Sequence, residues 1–358
     1  MFRFSDSFDH YSTSDLQQKW DNATGATVGG HGRGTNGVLL SNASSVIYKI
    51  LDSQPTWTVG VAYKTTSLTP GTNNGTIVAL YDSSVNRQVY VRANANGSLS
   101  VVRGDGTVLG TSSAGVITAN KWYYIEFQAT INNTTGAYEV HVNSATVLTS
   151  DEVGPLALDY GDIRPQGRVA LGNADTQVTG NASANIVYFC GDDSKSVYLD
   201  DLYICDGTGS GDDNSFLGNV QVKCLYPTGQ GQYAAFINAG ANTNYQAVGE
   251  TILDGNTSYV YSANQGDRDS YTFTQLPGAG KIYGVQRIVS VKSGSGTGQR
   301  RITASVRVGS TDYDNSTDYA IQASYSMLIE QLTVNPADSQ EWTRASLNGT
   351  EWGMVIST

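Results

Sequence analysis

The chain has 358 residues, with 32 acidic against 21 basic side chains, and its net charge of −11 argues against a phosphate-backbone ligand, which requires basic patches. Glycine (40) and tyrosine (22) are abundant among many Asn, Ser and Thr, while Glu and Lys are scarce, which excludes long helical faces and points to an all-β protein. The length suits two domains, and no run approaches the roughly 18 apolar residues of a membrane span.

The opening MFRFSDSFDHYSTSDL has no apolar segment behind a basic start, so no secretion signal is expected. Cys190, Cys205 and Cys224 are few and odd in number, unlike a disulfide framework. In a chain kept in a reducing cytoplasm, Asn-x-Ser/Thr triplets such as those at Asn22, Asn96, Asn181 and Asn348 read as turn chemistry. Gly32-Arg-Gly-Thr-Asn-Gly37 has the letters of a dinucleotide fingerprint, but a short strand at Val38–Leu40 follows where that chemistry needs a helix.

From Trp57 the alternation is that of a half-buried strand: Trp57, Val59, Val61 and Tyr63 on one face, Thr58, Gly60 and Ala62 on the other. Strands at Ile77–Tyr81 and Gln88–Arg92 follow. Asn94–Gly97 turns the chain into Ser98–Arg103, and Asp105–Gly106 turns it again. The clearest hairpin joins Trp122–Thr130 to Ala137–Asn143. Tyr123, Ile125, Phe127 and Ala129 share its apolar face with Tyr138, Val140 and Val142; Trp122, Tyr124, Glu126 and Gln128 face the other way.

NGSLSVVRGDGTVLGTSS, then ITANKWYYIEFQATINNTTGAYEVHVNSATVL, and the closing YLDDLYICD resemble the concanavalin A-like, laminin-G-like sandwich over residues 1–206. The resemblance implies fold more than function, because that fold hosts lectins, glycanases and purely structural modules. An acidic, glycine-rich linker at 207–215 leads into a second part, 216–358, read as a smaller β-sandwich of jelly-roll type. There, Lys281–Lys292 and Gln299–Val308 are expected to form a long hairpin about an SGSGTG loop. A strand within Tyr319–Leu332, a helix over Ser339–Leu347 ended by Asn348–Gly349, and a last strand complete it.

Phe4–Tyr11 (FSDSFDHY), Asp200–Gly209 (DDLYICDGTG) with Phe216–Leu217–Gly218, and the closing Asn335–Gly353 together resemble a group of tailed-bacteriophage virion proteins, across both halves. That implies a non-enzymatic structural protein, a capsid decoration or tail-associated appendage. It would assemble in the host cytoplasm as a homo-oligomer, with other virion proteins as partners and neither nucleic acid nor membrane bound. The competing reading is an adhesin for host surface glycans.

Three sets of side chains bear on these readings. Asp206, Asp212, Asp213 and Asn214 gather hard oxygen ligands suited to Ca²⁺, without the spacing of an EF-hand; a plain linker would look the same. Asp200 and Asp201, neighbours on a strand, are expected to point to opposite faces, one bonded to a loop and one solvated. Trp122, with Tyr124 on the same face, is the candidate for stacking on a sugar ring, although large aromatics also fill cores and intersubunit seams. His10, His31 and His141 have no metal-ligand spacing. No Glu-x-Asp-x-x-Glu, Gly-x-Ser-x-Gly or His-Glu-x-x-His occurs, so no catalytic residues are assigned.

Overall fold

The computed structural model describes residues 1–150, 175–178, 180–193, 195–209, 211–294 and 300–357. They form two units: Met1–Phe8 with Ser12–Val222, and Asp9–Tyr11 with Lys223–Thr358. The first unit therefore continues past Phe216, where the sequence reading begins the second sandwich, as far as Val222. Among the described residues no helix is long and apolar enough to cross a membrane.

In the first unit the strands are β1 (Phe2–Asp6), β2 (Ala26–Gly29), β3 (Gly37–Leu40), β4 (Val46–Gln54), β5 (Thr56–Thr65), β6 (Thr76–Tyr81) and β7 (Arg87–Ala93). They continue with β8 (Leu99–Arg103), β9 (Val108–Thr111), β10 (Tyr123–Thr130), β11 (Ala137–Val142), β12 (Ala145–Thr149), β13 (Ala184–Cys190) and β14 (Val197–Asp206). An eight-stranded sheet runs β12-β11-β10-β5-β14-β3-β2 with β1 also on β14; a six-stranded sheet runs β4-β13-β6-β7-β8-β9. Their facing sides make the core. Trp57, Val59 and Val61 of β5 continue into Ile125 and Phe127 of β10 and Val140 of β11, all buried. Val89, Val91, Leu99 and Val101 are among the buried residues of the smaller sheet's inner side. The expected turns are in place, with Gly97 at φ +78°, a backbone conformation that glycine adopts without a Cβ penalty.

β5 differs from the expected half-buried strand. Its second face, Thr58 to Ala62, is as buried as its first, because more chain lies across it.

The second unit contains β15 (Pro227–Ala234), β16 (Ile237–Ala239), β17 (Tyr259–Tyr261), β18 (Arg268–Phe273), β19 (Val285–Val291), β20 (Arg301–Val308), β21 (Thr311–Ala320), β22 (Ser326–Leu332) and β23 (Thr350–Ile356). A five-stranded sheet runs β15-β18-β23-β20-β21, and β19 pairs with β22 in a separate ribbon. The expected hairpin is thus corrected: β19 pairs in register with β22, Val285 opposite Leu332, while β20 lies between β21 and β23. Apolar residues recur along β19, β20 and β22 alike, so composition does not choose among partners. Residues 295–299 of the intended turn lie outside the described residues. The Tyr319–Leu332 region is two strands, β21 and β22. The helix is only Arg344–Asn348, capped by Thr343, whose side chain accepts from the Ser346 amide; the expected stop at Gly349 holds. Trp342, ahead of the cap, packs with Val306, Leu347 and Trp352 in this unit's core.

Candidate functional site

On the eight-stranded sheet, the side away from the core is organised in cross-strand rows. One row is His141–Glu126–Gly60–Tyr203, read directly from the strand register. A Cβ on Gly60 would fall 2.0 Å from the Tyr203 ring, so only glycine lets that ring lie flat across β5. The Tyr203 hydroxyl then donates to Glu126 Oε1 at 2.5 Å.

Residues 215–222 run across this row like a strap. The Leu217 amide donates to the Tyr203 hydroxyl (3.0 Å) and the Gly218 amide to Glu126 Oε1 (2.7 Å). Phe216 stacks on His141 with ring centroids 3.8 Å apart. His141 lies between Glu139, at 2.7 Å, and Glu126, at 3.7 Å. Burial alone would lower its pKa, but the two carboxylates outweigh burial and raise it to about 9. Burial first, and then the adjacent Glu126 charge, pushes the Tyr203 hydroxyl well above its ordinary range.

The strap's far end meets the Asp200–Asp201 pair. Here the expectation of opposite faces is overturned by a bulge: Asp201 takes φ +47°, and the register of β14 shifts between Asp200 and Tyr203. Both carboxylates converge on Arg33, whose amide donates to Asp200 (2.7 Å) while its Nε and Nη2 donate to Asp201 (2.8 and 2.6 Å). Asp201 also accepts from the Val222 amide, and Arg33 donates to the Val220 carbonyl. Neither aspartate is solvated. The glycine-rich Gly32–Gly37 loop thus serves to place Arg33.

Tyr124 lies under the same cover. It is 1 % exposed, its hydroxyl donates to the Asp201 carbonyl at 2.9 Å, and its ring stacks with Tyr203. It offers no ring face for a sugar, and this corrects its expected surface position.

Trp122 is placed differently. Tyr123 pairs with Tyr63, which sets Trp122 beside Lys64, and Lys64 pairs with Tyr198, which pairs with Leu39. All four side chains are half-buried. The Lys64 ammonium lies 4.9 Å from the Trp122 ring centre and 4.4 Å from that of Tyr198, with the His31 ring 5.8 Å further along. This row lies on the sheet's outer side, beyond the strap's bonds to Tyr203, Glu126 and Asp201. Alternation places Trp122 on that side; it could not reveal Lys64 and Tyr198 as neighbours.

The acidic loop is drawn into structure as separate contacts. Asp206 accepts from the Met1 amino group and from Thr208, Asp213 accepts from the Phe2 amide, and Asn214 donates to the Gly209 carbonyl. Asp212 is exposed. Among the described residues no three His, Cys, Asp or Glu side chains are grouped to hold a metal ion.

A second aromatic surface went unnoticed in the sequence. On the outer side of the six-stranded sheet, Tyr48, Tyr81 and Tyr188 are half-buried, with Tyr188 stacked on Tyr48 (6.2 Å) and tilted against Tyr81 (5.2 Å). Tyrosines at alternating strand positions were the available signal.

No protein-family model matches this sequence, and no curated protein matches it. Among solved structures, the cellulose-induced protein Cip1 is similar, at 15 % identity over 58 % of this chain and 100 % of its own, with a TM-score of 0.39. A sialidase is similar at 9 % identity over 58 % of this chain and 19 % of its own, TM-score 0.33. An alginate lyase, AlgAT5 of polysaccharide lyase family 7, is similar at 12 % identity over 51 % of this chain and 82 % of its own, TM-score 0.32. The chain spans less than a fifth of that sialidase's length. The protein is all-β: an eight-stranded and a six-stranded sheet make the first unit, and a five-stranded sheet with two-stranded ribbons makes the smaller second one.

Proposed function

We propose that this chain is a non-catalytic structural protein of a tailed-phage particle that binds host-surface glycans through the outer side of its first sandwich. The observation carrying the binding part is the half-exposed Trp122–Lys64–Tyr198 row. Pyranose rings present apolar C–H faces that stack on aromatic rings, and two such rings on one rigid sheet hold a ligand with little ordering cost. The virion setting rests on the sequence resemblance at Phe4–Tyr11, Asp200–Gly209 and Asn335–Gly353. Symmetric copies in a homo-oligomer would multiply weak single-site affinity.

A non-catalytic role is favoured by the state of Glu126. It is a buried carboxylate on this side of the sheet, and Tyr203, the Gly218 amide and the strap close it off.

The test is a glycan array probed with the intact protein, Trp122→Ala and Tyr188→Ala, each checked for an unchanged melting temperature. Binding lost in Trp122→Ala and kept in Tyr188→Ala is the expected result. The reverse pattern would move the site to the other sheet. No binding by any form would remove the glycan reading and leave a decoration protein acting through subunit contacts, whose fixed stoichiometry in purified particles is measurable.

A further inference from the structure

We infer that the Trp122–Lys64–Tyr198 row is selective for acidic sugars, specifically pyranose units bearing a carboxylate; this rests on the glycan-binding reading above. Three observations lead there.

First, Lys64 has no carboxylate partner among the described residues. Among the described residues, ion pairs of the first unit engage Arg3, Lys19, Arg33, Lys49, Arg103 and Lys195 with aspartates, and His141 with Glu126 and Glu139. Arg33, on the same side of the sheet, is held by Asp201 with both Nε and Nη2. Asp200, the nearest acid along β14, is turned to the Arg33 amide and to its own neighbour's amide.

Second, the ammonium stands between two aromatic rings, 4.9 and 4.4 Å from their centres. Cation–π contact is weak at such half-exposed sites and leaves the charge unneutralised. The rings strip part of the lysine's water and fix its position, which strengthens a hydrogen bond to an incoming anion.

Third, the protein's net charge is −11. An acidic polymer is repelled by that surface at long range, so a cation held between the rings of a half-exposed aromatic row is the feature that would admit it. A neutral sugar needs the rings alone. A carboxylate on a ring stacked against Trp122 or Tyr198 reaches the ammonium set between them, and the His31 ring beside Tyr198 extends the polar margin of the row.

The decisive probe is a hexauronate together with its carboxyl-reduced counterpart, a neutral hexasaccharide with the same backbone. Titration by calorimetry would use the intact chain, Lys64→Gln, Lys64→Arg and Trp122→Ala. The hexauronate should bind roughly tenfold or more tightly than its reduced form, the worth of one charge-assisted hydrogen bond. Lys64→Gln should erase that difference, Lys64→Arg should keep it, and Trp122→Ala should weaken both. Equal affinity for the two hexasaccharides, or an acid preference that survives Lys64→Gln, overturns the inference while leaving glycan binding intact. Absence of binding to these and to every arrayed glycan overturns the glycan reading as well.

Discussion

Tyr203→Phe tests how the strap is held. The change removes one oxygen and keeps the ring, so packing over Gly60 is preserved. Two hydrogen bonds go with it: the donation to Glu126 at 2.5 Å and the acceptance from the Leu217 amide at 3.0 Å. A bond to a buried carboxylate contributes about 1.5–3 kcal/mol, and an amide left unsatisfied costs about 1–3 kcal/mol. Glu126 keeps its bond from the Gly218 amide, so the two losses overlap; about 3 kcal/mol is the expected sum. Strap opening should then become roughly a hundredfold more frequent. Amide hydrogen exchange at Leu217, Gly218 and Val222 reads that directly, with the amides of β5 as an internal reference. A change under about threefold at these three amides would refute the argument, since a hydrogen bond worth its usual free energy cannot be lost so cheaply. Equal acceleration in β5 would show that the strap opens only with the whole sheet.

Two further predictions concern charge. His141 has a pKa raised to about 9 against an ordinary value of 6.5, so its contribution to holding the strap is complete below pH 6.5 and disappears as pH rises through 9. Exchange at Phe216–Gly218, corrected for intrinsic rate, should accelerate across that window, and His141→Gln should abolish the pH dependence; an unchanged profile in the variant would count against it. In the second unit, Arg287 and Glu330 pair at 2.6 Å, and Arg287 also donates to the carbonyls of Ser305 and Gly353. Arg287→Leu alone should destabilise this unit by about 3–5 kcal/mol, because Glu330 is left without its counter-charge. Arg287→Leu with Glu330→Leu should recover most of that in denaturant unfolding; a double variant as unstable as the single would show that the carbonyl bonds matter more than the pair.

The local features of the first sandwich were open to reading because each depends on a few adjacent residues. Alternation marked β5, β10 and β11, and Asn94–Gly97 and Asp105–Gly106 marked the turns from β7 to β8 and from β8 to β9, since side-chain direction has period two and only certain residues adopt positive φ. The same logic put Trp122 on the side away from the core. It also made Tyr124 look equally exposed, since nothing near Tyr124 in the chain announces that residues 215–222 cover it. The opposite-face rule for Asp200 and Asp201 failed because a single left-handed residue in a bulge redirected one carboxylate.

Residue order by itself determined that this protein is all-β, that a larger β unit precedes a smaller one, and which face of the hairpin formed by β10 and β11 is apolar. Those properties follow from periodicity and turn chemistry within a dozen residues. Only the tertiary structure decided which strands are partners: β19 with β22, and Lys64 set between Trp122 and Tyr198 from strands far apart in the chain. Register between distant strands is chosen by burial of whole faces, and burial is a property of the folded sheet and of what lies across it.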